Sequence, residues 1–444
     1  MARSASLSGF PELLPQERAV ELHFLDTLRR VFELHGFGSI ETRAVETVEQ
    51  LLRKGEIDKE VYAVSRLQSE EAAKDPALAL HFDLTVPFSR YVVENAGYLA
   101  FPFRRYQIQK AWRGERPQEG RMREFTQADF DVVGDGTLSF RHDIEVVLLA
   151  AHALSALPLP PFELRVNNRK LAEGFYRGLG LDDSAVVLRA IDKLEKIGPA
   201  AVAVLLREEA GASEEQAQAA LALAQIRTPD LSFVDRVREL GVSNELLEAG
   251  LEELSQVLTV AIEQVPGKVV ADLSIARGLD YYTGTVVETV LVGHEALGSV
   301  CSGGRYDALA RKGNRTFPGV GLSIGVSRLV ARVLSQDLAT ASRSVPTVVY
   351  VALNDDESWG QAQDVAAALR ARGVAVEVAT SAEKFGKQIK FADRRGIPFV
   401  WFISTDDDGL RHEVKDLRSG EQVAADPQSW LPPVEDLTIA VHRS

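Results

Sequence analysis

Strand patterns occur in two stretches of this chain, and a long helical stretch lies between them. From about residue 170 to 262, short amphipathic helices follow one another between glycines and prolines, and strand alternation resumes only at Val269. Before this segment the patterns predict strands at 40–45, 80–84, 103–113 and 125–133. After it they predict strands at 269–275, 285–292, 298–302 and 319–324. The chain of 444 residues suggests three domains at about 150 residues each. The interruption predicts that the first of them is split by a helical insertion.

The C-terminal part has a different pattern. Beyond a polar, small-residue segment at 336–344, strands alternate with helices up to residue 417, which is typical of a small, mostly parallel α/β domain. We therefore predict an α/β (α+β) chain with four divisions. They are a core at 1–168 and 263–335, a helical insertion at 169–262, a linker at 336–344 and a C-terminal domain at 345–444.

The composition is that of an average soluble globular protein, 45% hydrophobic and 26% charged. Cys301 is the only cysteine, which excludes an intrachain disulfide and a cysteine-built metal site, and the eight histidines show no metal-ligand spacing. We expect a cytoplasmic protein, because we find no signal-like segment and no stretch long enough to cross a bilayer. The net charge of -14 argues against a surface that is basic all over, but it allows a local basic patch.

Such a basic patch lies between two predicted strands at 103–113 and 125–133. From Arg104 to Arg123 there are seven basic residues and two acidic ones, a local charge of +5. Charge runs usually form solvated hairpins. Most of these residues are arginines within or beside the strands, and the planar fork of arginine suits phosphate oxygens. We therefore favour an anion-binding site over a solvated hairpin.

Polar side chains also recur at a spacing of two, the period of a strand. Gln127, Asp129 and Asp131 share one strand face, and a polar row on the covered face of a sheet needs a ligand or a partner. Asp83 and Thr85 likewise point the same way. They either face a site or, through Thr85, cap the helix that follows.

Three glycine-containing segments offer further candidates, each with an ordinary structural explanation. Residues 276–285 place Arg277 and two tyrosines between glycines, which also fits a turn in which the arginine pairs with a nearby aspartate. The glycine pair within 301–307 allows a close backbone approach or a tight turn. Residues 319–329 lack the spacing of a dinucleotide-binding loop. Their glycines leave room for a flat ligand, and the following helix offers Arg328.

Together these segments resemble the histidyl-tRNA synthetases, which are class II aminoacyl-tRNA synthetases. The segment FRRYQIQKAWRGERPQEGRMREFTQADFDVVG is similar to class II motif 2 in its histidine-specific form, GVGLSIGVSRL to motif 3, and residues 9–46 to motif 1. RGLDYYTGTV and GGRYD resemble the two peptides that mark the histidine enzymes. KFGKQIKFADRRGIPFV and EVKDLRSGEQ resemble the anticodon-binding domain. The resemblance implies an antiparallel-sheet catalytic core with a helical insertion, a C-terminal anticodon-binding domain and a homodimer.

The resemblance also implies a function. L-Histidine and ATP with Mg²⁺ would form histidyl-adenylate, and the histidyl group would pass to the 3′ end of its tRNA. The implied catalytic residues, at the α-phosphate, are Arg113 and Arg277. The implied ATP-binding residues are Arg113, Glu115, Arg121, Phe125 and Arg328. The implied histidine-binding residues are Asp83, Thr85, Gln127, Asp131, Tyr281 and Tyr282.

Four positions depart from the family pattern, and none of them removes a charge assigned to the α-phosphate. Ala44 stands where motif 1 normally has proline, which weakens the expectation of an ordinary dimer contact there. Met122 replaces an aromatic residue, Ser327 replaces an acid, and Ala308 replaces a glycine.

Two other functions remain open from the sequence. Regulatory subunits of ATP phosphoribosyltransferase resemble the catalytic core, but they generally lack the anticodon-binding domain and lose catalytic residues, whereas this chain has both. The second alternative is a tRNA- or RNA-binding module without activation chemistry, since a basic helix at 383–396 could contact phosphate. A solvated helix would have the same pattern. The candidate tRNA contacts are Gln118, Lys384, Lys387 and Arg394.

Overall fold

The computed structural model describes residues 7–52, 61–66, 77–276, 281–406 and 409–443. Contacts divide the chain into two compact units. The first consists of Met1–Pro11 and Phe24–Arg332, and the second of Glu12–His23 and Val333–Ser444. Among the helices of the described residues, none is long and apolar enough to cross a membrane.

Up to the predicted insertion, short elements alternate with a few long ones. They are α1 (Pro15–Leu34), β1 (Gly38–Ser39), β2 (Val45–Thr47), α2 (Val48–Leu52), β3 (Ala63–Val64), β4 (Leu78–Leu80), α3 (Thr85–Asn95), β5 (Phe103–Trp112), β6 (Glu124–Val133), α4 (Arg141–Ser155) and β7 (Phe162–Asn168). β5 and β6 are ten residues each. Because successive side chains of a strand point to opposite faces, residues at a spacing of two share a face.

Helices dominate the next stretch. They are α5 (Arg169–Gly178), α6 (Ser184–Ile191), α7 (Leu194–Ile197), α8 (Pro199–Ala210), α9 (Glu214–Ala224), α10 (Ser232–Arg238) and α11 (Glu245–Gln264), with one short strand, β8 (Arg227–Thr228), before α10. Side-chain caps start several of them. Asn168 caps α5, Ser213 forms a capping box with Gln216 at α9, and Asn244 caps α11. β8 was not predicted, because two residues leave too short a pattern to recognise.

The chain then returns to strands with β9 (Val269–Asp272), β10 (Thr285–Leu291), β11 (Cys301–Lys312) and β12 (Arg315–Gly325), which runs into α12 (Val326–Ser335). Nine strands form one sheet in the order β1-β5-β6-β12-β11-β10-β7-β9-β8. Among the described strands of this sheet, only β1–β5 and β7–β9 pair in parallel. The large antiparallel sheet expected for the core is thereby confirmed. The helical stretch is the connection in sequence between β7 and β9, two strands that pair in parallel in the sheet.

The second unit contains β13 (Ala339–Ala341), β14 (Val349–Val351), α13 (Trp359–Arg370), β15 (Val376–Val378), α14 (Phe385–Arg394), β16 (Phe399–Asp406), β17 (Gly409–Asp416), β18 (Gln422–Ala424) and β19 (Val441–Arg443). Its five-stranded sheet has the order β15-β14-β16-β17-β18. The three strands that alternate with helices are parallel, and β17 and β18 continue the sheet antiparallel. The segment predicted as a linker contains β13, which pairs with β19.

Two predicted strands before α3 are misplaced. A strand was expected at 40–45, but the strands flank most of that range as β1 and β2. A strand was expected at 80–84, but β4 ends at Leu80. Asp83 causes the second difference, because its Oδ1 accepts a hydrogen bond from the backbone N–H of Val86 at 3.1 Å and so caps the start of α3. The predicted cap was Thr85, which is the first residue of the helix.

Candidate active site

Two neighbouring clefts follow the face of β6 that carries Phe125, Gln127, Asp129 and Asp131. The first, called here the arginine cleft, has an empty volume of about 680 Å³ and is lined in part by Arg113, Glu115, Arg121, Phe125 and Arg328. The second, called here the carboxylate cleft, has an empty volume of about 540 Å³ and is lined in part by Asp83, Thr85, Gln127, Asp129, Asp131, Tyr281 and Tyr282. Four residues line both clefts: Arg113, Gln127, Ser302 and Ser323.

Backbone carbonyl groups hold the arginines of the arginine cleft. Nε of Arg113 donates to the carbonyl oxygen of Phe82 at 3.0 Å, and its guanidinium carbon lies 5.2 Å from the centre of the Phe125 ring. Nε of Arg328 donates to the carbonyl oxygen of Gly120 at 3.0 Å. These bonds orient the guanidinium groups without neutralising them, because a carbonyl oxygen carries no net charge. The third arginine, Arg121, lies 3.7 Å from the carboxylate of Glu115.

The charge balance of the arginine cleft favours an anion. Its described lining contains three guanidinium groups and one carboxylate, that of Glu115. Arginines in a partly closed cleft bind phosphate oxygens through charge-assisted hydrogen bonds. Ser327, the departure from the family pattern, accepts a hydrogen bond on Oγ from the backbone N–H of Thr126 at 2.8 Å, which ties α12 to β6.

Not all of the +5 patch faces this cleft. Arg104 pairs with Glu145, Lys110 pairs with Glu124, and Arg105 is fully buried. These three charges are already compensated within the fold. The positive charge that remains for a ligand comes from the hairpin tip and from the residues beside it, which include Arg113 and Arg121. The sequence pattern therefore identified the patch but overestimated its available charge.

The floor of the carboxylate cleft is a buried ion pair. Nη2 of Arg105 lies 2.7 Å from Oδ2 of Asp131, and the hydroxyl of Tyr306 donates to Oδ1 of Asp131 at 2.7 Å. The guanidinium carbon of Arg105 also lies 3.9 Å from the centre of the Phe88 ring. Both oxygens of Asp131 are thus held in place, so the carboxylate cannot swing towards a ligand of another shape.

Glycines on β12 make room for this floor. A Cβ atom at Gly321 would lie 2.1 Å from Oδ1 of Asp131, and one at Gly319 would lie 2.6 Å from the hydroxyl of Tyr306. From the sequence, a flat ligand was expected in the space at these glycines. The structure shows instead that the Asp131 carboxylate and the Tyr306 ring occupy it.

Asp129 is a second buried carboxylate of the same cleft, with 3% of its surface exposed. Burial is the largest influence on it and raises its pKa to about 7, although the nearby Arg105 acts in the opposite direction. Asp131 adds to the rise, because two carboxylates close together cannot both ionise cheaply. Tyr282, which is half-buried, has its pKa raised well above its usual value, mainly by desolvation and then by Tyr281.

Tyr281 and Tyr282 belong to a segment that is anchored to the sheet. Their ring centres lie 4.2 Å apart. The hydroxyl of the next residue, Thr283, donates to Oδ2 of Asp307 at 2.5 Å, and Arg305 links Asp307 to Asp143 through ion pairs of 3.2 and 2.8 Å. Burial raises the pKa of Asp143 to about 6, and Arg305 opposes that rise. The GGRYD peptide thereby fixes the position of the tyrosine pair.

The structure brings together most of the predicted site. The five predicted ATP-binding residues line the arginine cleft, and the six predicted histidine-binding residues line the carboxylate cleft. Arg277, predicted to be catalytic, lies outside the described residues. Sequence reasoning missed the roles of Arg105, Tyr306 and Ser323. The GGRYD peptide was a signal for Tyr306, whereas Arg105 could be recognised only from the cross-strand register that sets it opposite Asp131.

The candidate tRNA contacts lie on exposed features. Gln118 sits at the tip of the β5–β6 hairpin, where its backbone pairs with that of Arg121 at 2.9 and 3.1 Å. Lys384, Lys387 and Arg394 are exposed along α14 and the residue preceding it. Lys387 forms an ion pair with Glu383 at 2.5 Å, while its side chain stays 71% exposed. Exposed pairs of this kind are weak, so the charge remains accessible to a phosphate group.

Comparison with known proteins links both units to named families. A family profile described as histidyl-tRNA synthetase matches residues 9–329, and one described as anticodon binding domain matches residues 347–431. The chain is 72% identical to a histidine–tRNA ligase of Micrococcus luteus over the whole of both chains. It is 57% identical to the histidine–tRNA ligase of Cutibacterium acnes, with 98% of each chain covered.

Solved structures agree with these relatives. The crystal structure of a histidyl-tRNA synthetase from Nostoc sp. matches with a TM-score of 0.84 at 37% identity, over 96% of this chain and 97% of that one. A Bacillus halodurans protein described as an ATP phosphoribosyltransferase regulatory subunit/histidyl-tRNA synthetase matches with a TM-score of 0.73 at 21% identity, over 88% and 97% of the two chains. That second likeness concerns the fold alone.

Proposed function

Because this chain belongs to the histidyl-tRNA synthetase family, we propose that its two clefts hold the two small substrates of one reaction. The protein is a histidine–tRNA ligase. It activates L-histidine with ATP to histidyl-adenylate and pyrophosphate, and then transfers the histidyl group to the 3′ end of its tRNA. We assign ATP to the arginine cleft and histidine to the carboxylate cleft.

The shared wall of the two clefts carries this assignment. Arg113 and Gln127 line both clefts. In the activation step, a carboxylate oxygen of histidine bonds to the α-phosphorus of ATP while the bond from that phosphorus to pyrophosphate breaks. The two reacting atoms must therefore meet where the clefts meet. Arg113 is the cation at that point, and we propose it as a catalytic residue together with Arg277.

Each remaining residue of the arginine cleft has a proposed contact with ATP. The adenine ring stacks on Phe125, with Arg328 on its other side, and Glu115 accepts a hydrogen bond from the adenine amino group. Arg121 lies towards the γ-phosphate. Stacking and cation–π contact suit a flat, electron-rich ring, and the arginines suit the phosphate oxygens.

The carboxylate cleft suits histidine because it offers both charge and hydrogen-bond partners. Asp83 and Asp131 are carboxylates for a substrate that carries an α-ammonium group, and Thr85 and Gln127 add neutral polar partners. Imidazole has one donor and one acceptor in its neutral form, so the hydroxyls of Tyr281 and Tyr282 are suitable partners. A polar site of this kind rejects amino acids that lack those groups, since its own buried polar atoms would be left unpaired.

The chemistry needs positive charge more than an acid–base pair. Attack by a carboxylate on a phosphate brings two anions together, so fixed guanidinium groups and substrate positioning lower the barrier. In the transfer step, the oxygen of the terminal tRNA ribose bonds to the histidyl carbonyl carbon and loses its proton, and AMP leaves with the bonding electrons. Arg113 also stabilises this leaving phosphate.

We propose that Mg²⁺ enters with ATP rather than occupying a protein-built site. The described residues contain no group of three or more His, Cys, Asp or Glu side chains that could hold a metal ion. Mg²⁺ commonly keeps several water ligands and binds substrate phosphates with few protein carboxylates.

The remaining proposals concern partners and organisation. We propose that Gln118 contacts the acceptor end of tRNA and that Lys384, Lys387 and Arg394 contact its anticodon region, within a cytoplasmic homodimer. The proposed divisions remain the catalytic core at 1–168 and 263–335, the insertion at 169–262, the linker at 336–344 and the anticodon-binding domain at 345–444. The guanidinium-lined cleft favours the ligase over a regulatory subunit, which has no need to activate an amino acid.

Histidine-dependent ATP–pyrophosphate exchange tests the assignment directly. The wild-type protein should catalyse exchange with histidine and not with other amino acids, and Arg113→Ala should lower the rate by about 100-fold or more, as expected for the loss of a group that stabilises developing charge. Arg315→Ala is a matched control, because Arg315 is an exposed arginine that pairs with Asp135 outside both clefts. Absence of exchange in folded wild-type protein would refute the proposal.

A further inference from the structure

The tip of the β5–β6 hairpin is a tight turn, called here the hairpin turn (118–121). Backbone hydrogen bonds of 2.9 and 3.1 Å between Gln118 and Arg121 close it, so Glu119 and Gly120 are its two central residues. Gly120 has a φ of +70°, a conformation that glycine adopts without strain. Gly120 and Arg121 line the arginine cleft, so the position of the hairpin turn sets the shape of one wall of that cleft.

Helix α12 contacts both central residues of the hairpin turn. Nε of Arg328 donates to the carbonyl oxygen of Gly120 at 3.0 Å. Nη1 of Arg332 lies 3.2 Å from Oε1 of Glu119. The two arginines are four positions apart, so they are neighbours on one face of the helix. Two successive residues of the hairpin turn are thereby attached to two successive turns of α12.

Close packing brings the hairpin turn against this part of the fold. A Cβ atom at Gly120 would lie 2.4 Å from Cδ1 of Leu297 and 3.2 Å from Cγ of Arg328, so the backbone at Gly120 lies directly against both side chains. Apolar contact is non-directional, and it does not by itself set the orientation of the neighbouring side chains. The ion pair between Glu119 and Arg332 adds a contact of defined direction.

The two members of this ion pair differ in exposure. The side chain of Arg332 is 11% exposed, whereas that of Glu119 is 68% exposed. Arg332 is therefore packed within the fold and acts as the anchor, and Glu119 is the group that it holds. Neither residue belongs to the described lining of the arginine cleft, so the pair influences a ligand there through the hairpin turn rather than by touching it.

We propose that Arg332 is a positioning residue for ATP, because through Glu119 it holds the hairpin turn in the place where Arg121 lines the arginine cleft. This inference rests on the proposed function, in which Arg121 lies towards the γ-phosphate. Arg121 follows Glu119 by two residues within one tight turn, so a shift of Glu119 carries Arg121 with it. Loss of the pair weakens ATP binding, while Arg113 continues to act at the α-phosphate.

Pyrophosphate exchange with ATP and histidine varied separately tests the inference on the full-length protein. Glu119→Gln and Arg332→Leu should each raise the KM for ATP by about three- to fivefold, the effect expected for a partly exposed ion pair. The kcat and the KM for histidine should stay within about twofold of wild type, because the pair is remote from the reacting atoms. The double variant should resemble either single variant, since both substitutions remove the same contact.

Glu195→Gln is the matched control for Glu119→Gln. Glu195 pairs with Arg165 at 2.8 Å, and their side chains are 76% and 10% exposed, close to the values for Glu119 and Arg332. Glu195 and Arg165 belong to the described lining of neither cleft, so the KM for ATP should be that of wild type. Thermal unfolding of each preparation shows whether the variant is folded.

Two results would overturn the inference while leaving the proposed function intact. One is a folded Glu119→Gln protein with the wild-type KM for ATP. The other is a double variant whose KM for ATP rises by the product of the two single effects, since Glu119 and Arg332 would then act through separate contacts. Glu119 is exposed, so its variant tests the inference even where Arg332→Leu fails to fold. Absence of exchange by wild-type protein would instead refute the proposed function.

Discussion

A methyl group at position 321 should disable histidine binding without disturbing ATP binding. In the structure, a Cβ atom at Gly321 would lie 2.1 Å from Oδ1 of Asp131 and 2.6 Å from the carbonyl oxygen of Phe130. Ordinary contact begins at 3.4 Å, so the carboxylate must move by about 1.3 Å. Asp131 cannot move that far and keep both of its 2.7 Å contacts, to Arg105 and to Tyr306.

The size of the effect follows from those two contacts. Leaving a buried charge without its partner costs about 3 kcal/mol or more, and a displacement of about 1 Å in a binding site costs about 100-fold in rate. For Gly321→Ala we therefore expect kcat/KM for histidine to fall by about 100-fold. The KM for ATP should change little, because Gly321 lines the carboxylate cleft and is absent from the described lining of the arginine cleft.

Pyrophosphate exchange with histidine and ATP varied separately gives both constants. Thermal unfolding of the same preparation shows whether the variant is folded. Gly97→Ala is the matched control, since a Cβ atom there meets nothing within 4 Å and should change neither constant. A folded Gly321→Ala protein with wild-type KM for histidine would refute the reasoning, because it would mean that Asp131 does not need its observed position to bind substrate.

Three further predictions concern stability, tRNA and the tyrosine segment. Asp129 has its pKa raised to about 7 from about 3.9 in an unfolded chain, so the folded protein holds the extra proton and loses stability as pH rises from about 4 to 7, by up to about 4 kcal/mol. Thermal unfolding should therefore show Asp129→Asn to be more stable than wild type at pH 8 but not at pH 4, and equal melting temperatures at pH 8 would contradict this. Combined replacement of Lys384, Lys387 and Arg394 by alanine should raise KM for tRNA and reduce its salt dependence while exchange is unchanged, and loss of exchange would show that these residues act beyond tRNA contact. Arg305→Met should lower stability by about 3 kcal/mol because Asp143 is left buried without its partner, and adding Asp143→Asn should restore part of it. Failure of the second substitution to restore stability would argue against the pair as the cause.

Elements with long regular patterns could be predicted from the sequence, and short ones could not. β5 and β6 were predicted because ten residues in each show the strand period clearly. β1 has two residues and exists because it pairs in parallel with β5, some 65 positions away, which no local pattern reveals. A short strand takes its structure from its partner, so its limits depend on tertiary contacts.

The same limit applies within the site. Phe125, Gln127 and Asp131 could be placed on one face from their spacing alone, because the side-chain period of a strand is two. The role of Arg105 required the pairing register of two strands, since it lies opposite Asp131 across the hairpin. The sequence pattern showed only that Arg105 is a basic residue within a predicted strand. Arg105 was therefore grouped with the arginines of the basic patch. Arg105 pairs with the Asp131 carboxylate instead, because it is buried beside it. Burial is a property of the assembled sheet, which a local pattern does not show.

The helical stretch connects β7 to β9, and this position affects which sequence changes such a chain can tolerate. Two neighbouring parallel strands cannot be joined by a tight turn and always require a crossover of a dozen or more residues. The sheet therefore needs a connection at this point, but it does not dictate its content. Leu164 pairs with Val269, so the two ends of the connection meet in neighbouring strands. Insertions, deletions and wholesale replacement of the crossover helices can accumulate there, while β5, β6, β11 and β12 keep the two clefts in register.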